Sequence, residues 1–300
     1  MKIAFLFAGQ GSQAVGMGQD FYNKYETVKN IYDKFPETRD LCFNGPADIL
    51  NQTEYAQKAI LLTSYSFASL LKENGIEPEY VCGLSLGEYS ALSFANTWNI
   101  DDAMNIIFNR GKIMQNALPL GTTKMAAVIG LNREVILNTI KNVKGICEIA
   151  NYNCTGQIVI TGDNEGVDNA MPLLTEAGAK RVLPLNVSGA FHSSLLVPAS
   201  KELRVVLDKY TPNKPEYKVI YNVSGKEEND NINDLLERQI CHSVYFEDTL
   251  KYLKDNGVDT FVEIGPGKTL SGFVRKTLTD VKSYAITDVE SFEKIISELK

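Results

Sequence analysis

Residues 79–88 read Glu79-Tyr80-Val81-Cys82-Gly83-Leu84-Ser85-Leu86-Gly87-Glu88, and this stretch decides the fold. Glu79–Cys82 has the composition of a short buried strand, and Glu88–Thr97 has that of a helix. Between them lies Gly-x-Ser-x-Gly, the pattern of a nucleophile elbow at a strand-to-helix turn. Such a turn is too tight for side chains two residues either side of the serine, so glycine flanks it. The serine is left in a strained conformation with its hydroxyl exposed above the sheet edge. The next peptide N–H then sits at a helix N-terminus, where it can receive an oxyanion. The bland alternative is a glycine-rich turn with an idle serine.

Working outward, Lys2–Phe7 reads as a buried strand and Thr53–Asn74 as a long buried helix. Ile100–Leu118 is a second strong helix, with Asp101 and Asp102 complementing the positive dipole end of its first turn. The pattern then changes. Lys124–Leu131 is strand-like, Arg133–Lys144 helical, Ile146–Asn151 and Gln157–Thr161 strand-like, Glu165–Ala177 helical and Arg181–Val187 strand-like. That β-α-β-β-α-β order is ferredoxin-like. It predicts a small subdomain over 122–189 inserted into a larger α/β catalytic domain of 1–121 and 190–300.

The larger part resumes with a helix over Leu195–Tyr210, a strand over Lys218–Asn222 and a helix over Phe246–Asn256. A strand over Asp259–Ile264, a helix over Lys268–Leu278, a strand near Ser283–Ile286 and a final helix complete it. Alternating strands and helices imply an α/β fold with a mostly parallel, doubly wound sheet. Lys226–Asn233 is the most polar stretch and reads as an exposed loop.

Composition narrows the function classes. A net charge of −7 with no Lys/Arg-rich block argues against nucleic-acid binding. Five cysteines without a CxxC pair leave one unpaired in any disulfide scheme, which fits reduced thiols and a cytoplasmic protein. With only two histidines, His192 and His242, a Cys/His metal site is not expected. No apolar run reaches the ~18 residues of a membrane span.

Gly9-Gln10-Gly11-Ser12-Gln13-Ala14 follows the first strand and matches the dinucleotide fingerprint G-x-G-x-x-G/A. That motif needs a second strand ending in an acidic residue about 20 positions on. Asp20–Phe35 is instead charged and helical in period, so a nicotinamide cofactor is rejected. Such a loop can lend a backbone N–H to a neighbouring site, and Gln10 or Gly11 is placed to do so for Ser85. A serine nucleophile also needs a base. His192, in a small-residue loop after a predicted strand, is favoured over His242, which falls near a helix start and reads equally as surface. Arg110 reads, on helical periodicity alone, as a solvated charge.

Five segments together resemble the malonyl-CoA:acyl-carrier-protein transacylase family, in that family's order and over essentially the whole chain. They are Gly9-Gln10-Gly11-Ser12-Gln13, Gly83-Leu84-Ser85-Leu86-Gly87-Glu88, Arg110-Gly111 with Met114-Gln115, Gly189-Ala190-Phe191-His192-Ser193, and Glu263-Ile264-Gly265-Pro266-Gly267-Lys268. The resemblance implies an α/β-hydrolase-like large domain carrying the ferredoxin-like subdomain. It implies malonyl transfer from malonyl-CoA to the phosphopantetheine thiol of an acyl carrier protein, through a malonyl-serine, in fatty acid synthesis. No bound cofactor or metal is implied, the coenzyme A thioester being substrate.

By the same resemblance Ser85 is the nucleophile, His192 its base, and the N–H groups of Gln10 and Leu86 the oxyanion hole. Arg110 clamps the malonyl carboxylate, with Phe191 and Met114 beside the substrate. Phe191 resembles the malonyl-selective form of its loop, whose bulk disfavours an α-methyl branch. Gln239 accepts the histidine's second N–H in place of a triad aspartate. Lys180, Arg181, Arg275 and Lys276 match basic positions that would receive an acidic carrier.

Some positions depart from the family. Leu84 stands where histidine is usual, Ala8 where proline is frequent, and Ser243, Tyr245 and Phe246 replace Pro, Arg and Trp. Two other readings use the same motifs: a serine esterase or thioesterase on a related sheet, and an inactive carrier-protein docking module. The esterase has no use for a carboxylate-clamping arginine and usually orders its triad Ser, Asp/Glu, His. The docking module has no use for an intact Ser85–His192 pair.

Overall fold

The run Ile3-Ala4-Phe5-Leu6-Phe7 has no polar residue, and all five positions are buried. A strand apolar on both faces belongs inside a parallel sheet covered by helices on both sides, and that is where it lies. The computed structural model describes residues 1–185 and 189–300. In chain order it opens with β1 (Ile3–Phe7), α1 (Gln19–Lys24), α2 (Glu26–Tyr32), α3 (Pro36–Asn44) and α4 (Ala47–Leu50). There follow α5 (Thr53–Glu73), β2 (Tyr80–Gly83), α6 (Leu86–Phe94) and α7 (Ile100–Asn116). The next stretch is β3 (Thr123–Ile129), α8 (Arg133–Ile140), β4 (Cys147–Cys154), β5 (Gln157–Asp163), α9 (Asn164–Glu176) and β6 (Arg181–Pro184). Then come α10 (Val197–Leu207), β7 (Lys218–Val219), α11 (Ile232–Gln239), β8 (Val244–Tyr245) and α12 (Phe246–Asp255). The chain finishes with β9 (Thr260–Ile264), α13 (Thr269–Thr277), β10 (Lys282–Ala285) and α14 (Val289–Leu299).

The larger sheet has the order β10-β9-β1-β2-β7 and every neighbouring pair is parallel. Phe7 is level with Gly83 on one side and Ile264 on the other. The loops after β1, β2 and β9 therefore leave the sheet together at its carboxyl edge, where ligand sites of open α/β sheets form. The second sheet has the order β6-β3-β5-β4-β8, the first four strands antiparallel. This is the arrangement a β-α-β-β-α-β unit adopts. Its fifth strand comes from far along the chain: β8 joins β4 in parallel, Asn151 level with Val244.

The structure revises several expectations. The strand expected over Arg181–Val187 ends at Pro184; the Leu185 N–H still donates to the Met125 carbonyl at 2.9 Å, and Asn186 and Val187 lie outside the described residues. Lys218–Asn222 is a strand over two residues only: the Ile220 N–H still donates to the Val81 carbonyl at 3.0 Å, and Tyr221 then leaves the sheet to form an isolated bridge with Lys226. Ile232 and Asn233 belong to α11 rather than to the polar loop, with Asn231 capping the helix. The helices α3, α4 and α11 and the short strand β8 were not legible. All five cysteines are free, four of them buried. Among the described residues no helix is long and apolar enough to cross a membrane.

Candidate active site

The elbow forms because backbone meets backbone. A Cβ on Gly87 would lie 2.2 Å from the Phe7 carbonyl oxygen, and one on Gly83 would lie 2.1 Å from the Gly87 carbonyl carbon. Strand β1 and helix α6 thus touch across a gap that no side chain fits. Ser85 takes φ 55° and ψ −106°, a conformation costing about 1–3 kcal/mol in a non-glycine residue. Two side chains hold it there. The Ser85 N–H donates to Asn222 Oδ1 at 2.7 Å, and the Gln239 carboxamide donates to the Ser85 carbonyl at 2.9 Å. Asn222 also donates to the Gly83 carbonyl at 2.7 Å. Hydrogen bonds of ~1 kcal/mol each are the right size to offset that strain.

His192 Nε2 lies 2.7 Å from Ser85 Oγ. Its Nδ1 lies 2.8 Å from the main-chain carbonyl of Gln239. A carbonyl can only accept, so the ring proton sits on Nδ1 and Nε2 presents its lone pair to the serine. His192 is itself at φ 58°, and its N–H donates to the Ile240 carbonyl at 3.1 Å. Burial first, then the Arg110 charge, push its imidazolium down to about 4. The ring is therefore neutral at physiological pH.

Arg110 corrects the periodicity reading: it is fully buried, not solvated. The cause is the closeness of α5 and α7, since a Cβ on Gly111 would lie 2.6 Å from the Glu54 Cα. Its Nη2 donates to Ser85 Oγ at 3.1 Å and to Gln239 Oε1 at 2.9 Å. Nη1 donates to Gln57 Oε1 at 2.7 Å. Gln57 in turn donates to Gln10 Oε1 at 3.3 Å and lies 3.8 Å from Met114 Sδ. The guanidinium thus points at the serine with neutral partners only.

A cleft of about 1250 Å³ opens over this centre. Gln10, Leu84, Ser85, Met114, Phe191 and His192 line it from the larger sheet's side, and Met125, Asn151, Asn153, Val159 and Leu185 line it from the second sheet. Leu86 is the first residue of α6, so its N–H has no intrahelical carbonyl to bond. The structure brings Ser85, His192, Arg110, Gln239, Gln10, Leu86, Phe191 and Met114 to one place. His242 is not among them; it is exposed, with Nδ1 2.9 Å from the Arg238 carbonyl. Lys180, Arg181, Arg275 and Lys276 are exposed and do not line the cleft. No group of three or more potential metal ligands occurs among the described residues.

The departures around Gln239 are accommodated. Ser243 Oγ donates to the Ile149 carbonyl at 2.5 Å, and Tyr245 stacks on Tyr152 with ring centroids 5.0 Å apart. Arg133 caps that stack, 3.6 Å from the Tyr152 centroid. The loop is anchored to the second sheet by other chemistry, and the Gln239 carbonyl still meets His192.

Sequence reasoning missed Gln57, Asn222 and Glu88. Glu88 was visible as the residue ending the elbow motif; the other two are polar residues in apolar surroundings, with no motif to mark them. Glu88 is fully buried, and burial pushes its carboxyl up to about 7 against the pull of its hydrogen-bond donors and Arg110.

Fold and site together define an α/β protein with a serine–histidine centre backed by a buried arginine. The chain belongs to the acyl transferase domain family, whose match spans residues 4–291. It is 42% identical to the malonyl CoA-acyl carrier protein transacylase of Bacillus subtilis, covering 100% of this chain and 98% of that protein. With the enzyme of the same name from Haemophilus influenzae it shares 38% identity, covering 98% of each. The crystal structure of malonyl CoA-acyl carrier protein transacylase from Clostridium perfringens superposes with a TM-score of 0.96 at 40% identity, over 100% of this chain and 97% of that one. A malonyl-transacylase solved in complex with a type II PKS acyl-carrier protein superposes equally well, TM-score 0.96 at 34% identity, over 99% of this chain and 100% of that one.

The histidine environment sets a pH dependence. A base that titrates near 4 is active at every pH above it, so labelling of Ser85 by a fluorophosphonate should stay level from pH 8 down to about 5.5, measured in the Glu88→Gln background to remove the other buried acid of that range. In Arg110→Met the loss of a nearby positive charge should move the acid limb upward. An acid limb at ~6.5, the ordinary histidine value, would contradict this account of His192.

Proposed function

We propose that this protein transfers the malonyl group of malonyl-CoA to the phosphopantetheine thiol of an acyl carrier protein by way of a malonyl-serine. The observation that carries the reading is the convergence on one hydroxyl: Ser85 Oγ meets His192 Nε2 at 2.7 Å and a fully buried arginine at 3.1 Å. The names of the relatives support the same substrates.

In the proposed reaction Ser85 Oγ attacks the thioester carbonyl as His192 Nε2 takes its proton. The tetrahedral oxyanion sits between the N–H groups of Gln10 and Leu86. Collapse breaks the carbon–sulfur bond, and coenzyme A leaves with the proton from His192. The carrier thiol then gives its proton to His192 and attacks the ester, and Ser85 departs with that proton. The two large thiols never need to be bound together. Arg110 swings its charge from the serine hydroxyl to the malonyl carboxylate, making paired charge-assisted hydrogen bonds. Phe191 and Met114 narrow the acyl pocket.

An acidic carrier needs a positive landing place on a chain of net charge −7. We place it at Lys180-Arg181 and Arg275-Lys276. The Thr155 N–H donates to Thr277 Oγ1 at 3.2 Å, and the Gly130 N–H donates to the Gly156 carbonyl at 2.8 Å. The Lys180 stem lies against Gly130. Both dibasic pairs therefore flank one turn, between β4 and β5, two residues beyond the cleft-lining Asn153.

Intact mass after malonyl-CoA exposure tests the central claim. Wild-type protein should gain one malonyl group and release one equivalent of coenzyme A, and Ser85→Ala should gain none; a persistent adduct on the variant sinks the assignment. Arg110→Ala should cost malonyl transfer about 2–4 kcal/mol in kcat/KM, the scale for breaking a desolvated charge pair, while sparing acetyl transfer. Equal losses on both donors would mean a structural arginine. Reversing the four basic residues to Glu should raise KM for the carrier several-fold in a salt-sensitive way and leave the coenzyme A burst intact. An unchanged carrier half-reaction at low ionic strength would place the docking face elsewhere.

A further inference from the structure

Glu88 is a fully buried carboxyl that the proposed chemistry leaves without a task. Its Oε2 accepts the Asn222 main-chain N–H at 2.8 Å and the Gln239 carboxamide N–H at 3.2 Å. Those are the two residues that clamp the Ser85 peptide from its N–H and its carbonyl side. Its other oxygen, Oε1, is buried with no hydrogen-bond partner among the described residues.

The Gln239 carboxamide can be read unambiguously from its neighbours. The Ser85 carbonyl and Glu88 Oε2 only accept, so they face its NH2; Arg110 only donates, so it faces Oε1. Flip the amide, and an NH2 would confront a guanidinium while an oxygen confronted a carbonyl and a carboxylate. Without Glu88, one of the two acceptors that enforce the orientation is gone. The main-chain carbonyl of Gln239 serves His192 whatever its side chain does. The side chain is therefore free for a different role, as the link between Glu88 and Arg110.

We propose that Glu88 is a positioning residue: as the common acceptor for Asn222 and Gln239, it fixes the strained Ser85 peptide and aims the Arg110 guanidinium, and so sets the preference for a carboxylate-bearing acyl group. The inference rests on the malonyl-transfer reading. It requires an acceptor oxygen at the Oε2 position, not a negative charge.

That distinction gives the test. Glu88→Gln keeps an oxygen for both donors and puts its NH2 where Oε1 has no partner; Glu88→Met keeps the volume and removes the acceptor. Single-turnover acylation is measured with malonyl-CoA and acetyl-CoA on both variants. Glu88→Gln should stay within about threefold of wild type on both donors. Glu88→Met should lose about 100-fold with malonyl-CoA, the scale of a small misplacement at a reacting centre, and distinctly less with acetyl-CoA, so the malonyl-to-acetyl ratio collapses. A merely structural role would lower both donors together and keep the ratio, which would overturn the proposal. So would Glu88→Gln falling as far as Glu88→Met. Should Glu88→Met not fold, Gln239→Met cuts the same link from the other end while leaving the carbonyl to His192; an unchanged ratio there is equally fatal. Wild-type protein that takes up no malonyl group at all would sink the function reading itself, whereas normal uptake with an unchanged ratio sinks only the role of Glu88.

Discussion

Backbone contact between Phe7 and Gly87 is the constraint from which the site follows. It forces helix α6 to start within touching distance of strand β1, which leaves Ser85 no relaxed conformation. The strain is useful only if the serine stays where the turn throws it. Asn222 from the segment after β7 and Gln239 from the end of α11 each take one end of the Ser85 peptide. Three stretches far apart in sequence thus fix one residue, and a change in any of them reaches the hydroxyl through at most two hydrogen bonds.

The second consequence is electrostatic. With His192 held neutral by burial and by Arg110, the lone pair facing Ser85 is available without competition from solvent protons. In the free protein the same arginine that makes the imidazolium unfavourable also donates to Ser85 Oγ, holding the hydroxyl against the Nε2 lone pair. One buried charge thus positions the hydroxyl while raising the cost of leaving a proton on the ring. A proton on His192 is therefore passed on readily to the departing sulfur in the proposed reaction.

How much of this was legible varies with the kind of signal. The elbow and the β-α-β-β-α-β order could be read because turn chemistry and hydrophobic period are local. Ser85 and His192 followed from motif and loop position. Arg110 was misread by period because its burial depends on Gly111, whose missing side chain lets α5 close over α7; a helical wheel has no term for such an approach. Gln57, Asn222 and Glu88 are polar residues in the core, and what recruits them is the partner each finds from another element. Strand β8 escaped notice because two residues have no period, and its place beside β4 is held by Ser243 and the Tyr245–Tyr152–Arg133 stack. At 243 and 245 the anchor is thus made by a serine hydroxyl and a tyrosine stack, and the Gln239 carbonyl meets His192.

The energetics of Arg110 explain how a fully buried cation can serve selectivity. Removing a guanidinium from water costs several kcal/mol, and folding has already met that cost, because in the free protein its hydrogen-bond acceptors are the neutral oxygens of Gln57, Gln239 and Ser85. Those neutral partners take Nη1 and Nη2, Nε has no hydrogen-bond partner among the described residues, and the buried Glu88 acts on the guanidinium by charge alone, without a hydrogen bond to it. In the proposed reaction a carboxylate entering the cleft supplies a directly paired counter-charge without a second desolvation of the arginine. An acetyl group supplies nothing and leaves the charge as it was. In the proposed reaction, discrimination between the two thus lies in the unfinished pairing of a residue whose burial is enforced by helix packing. On that proposal the closeness of α5 and α7, set by a glycine with no chemical role of its own, is part of the substrate specificity.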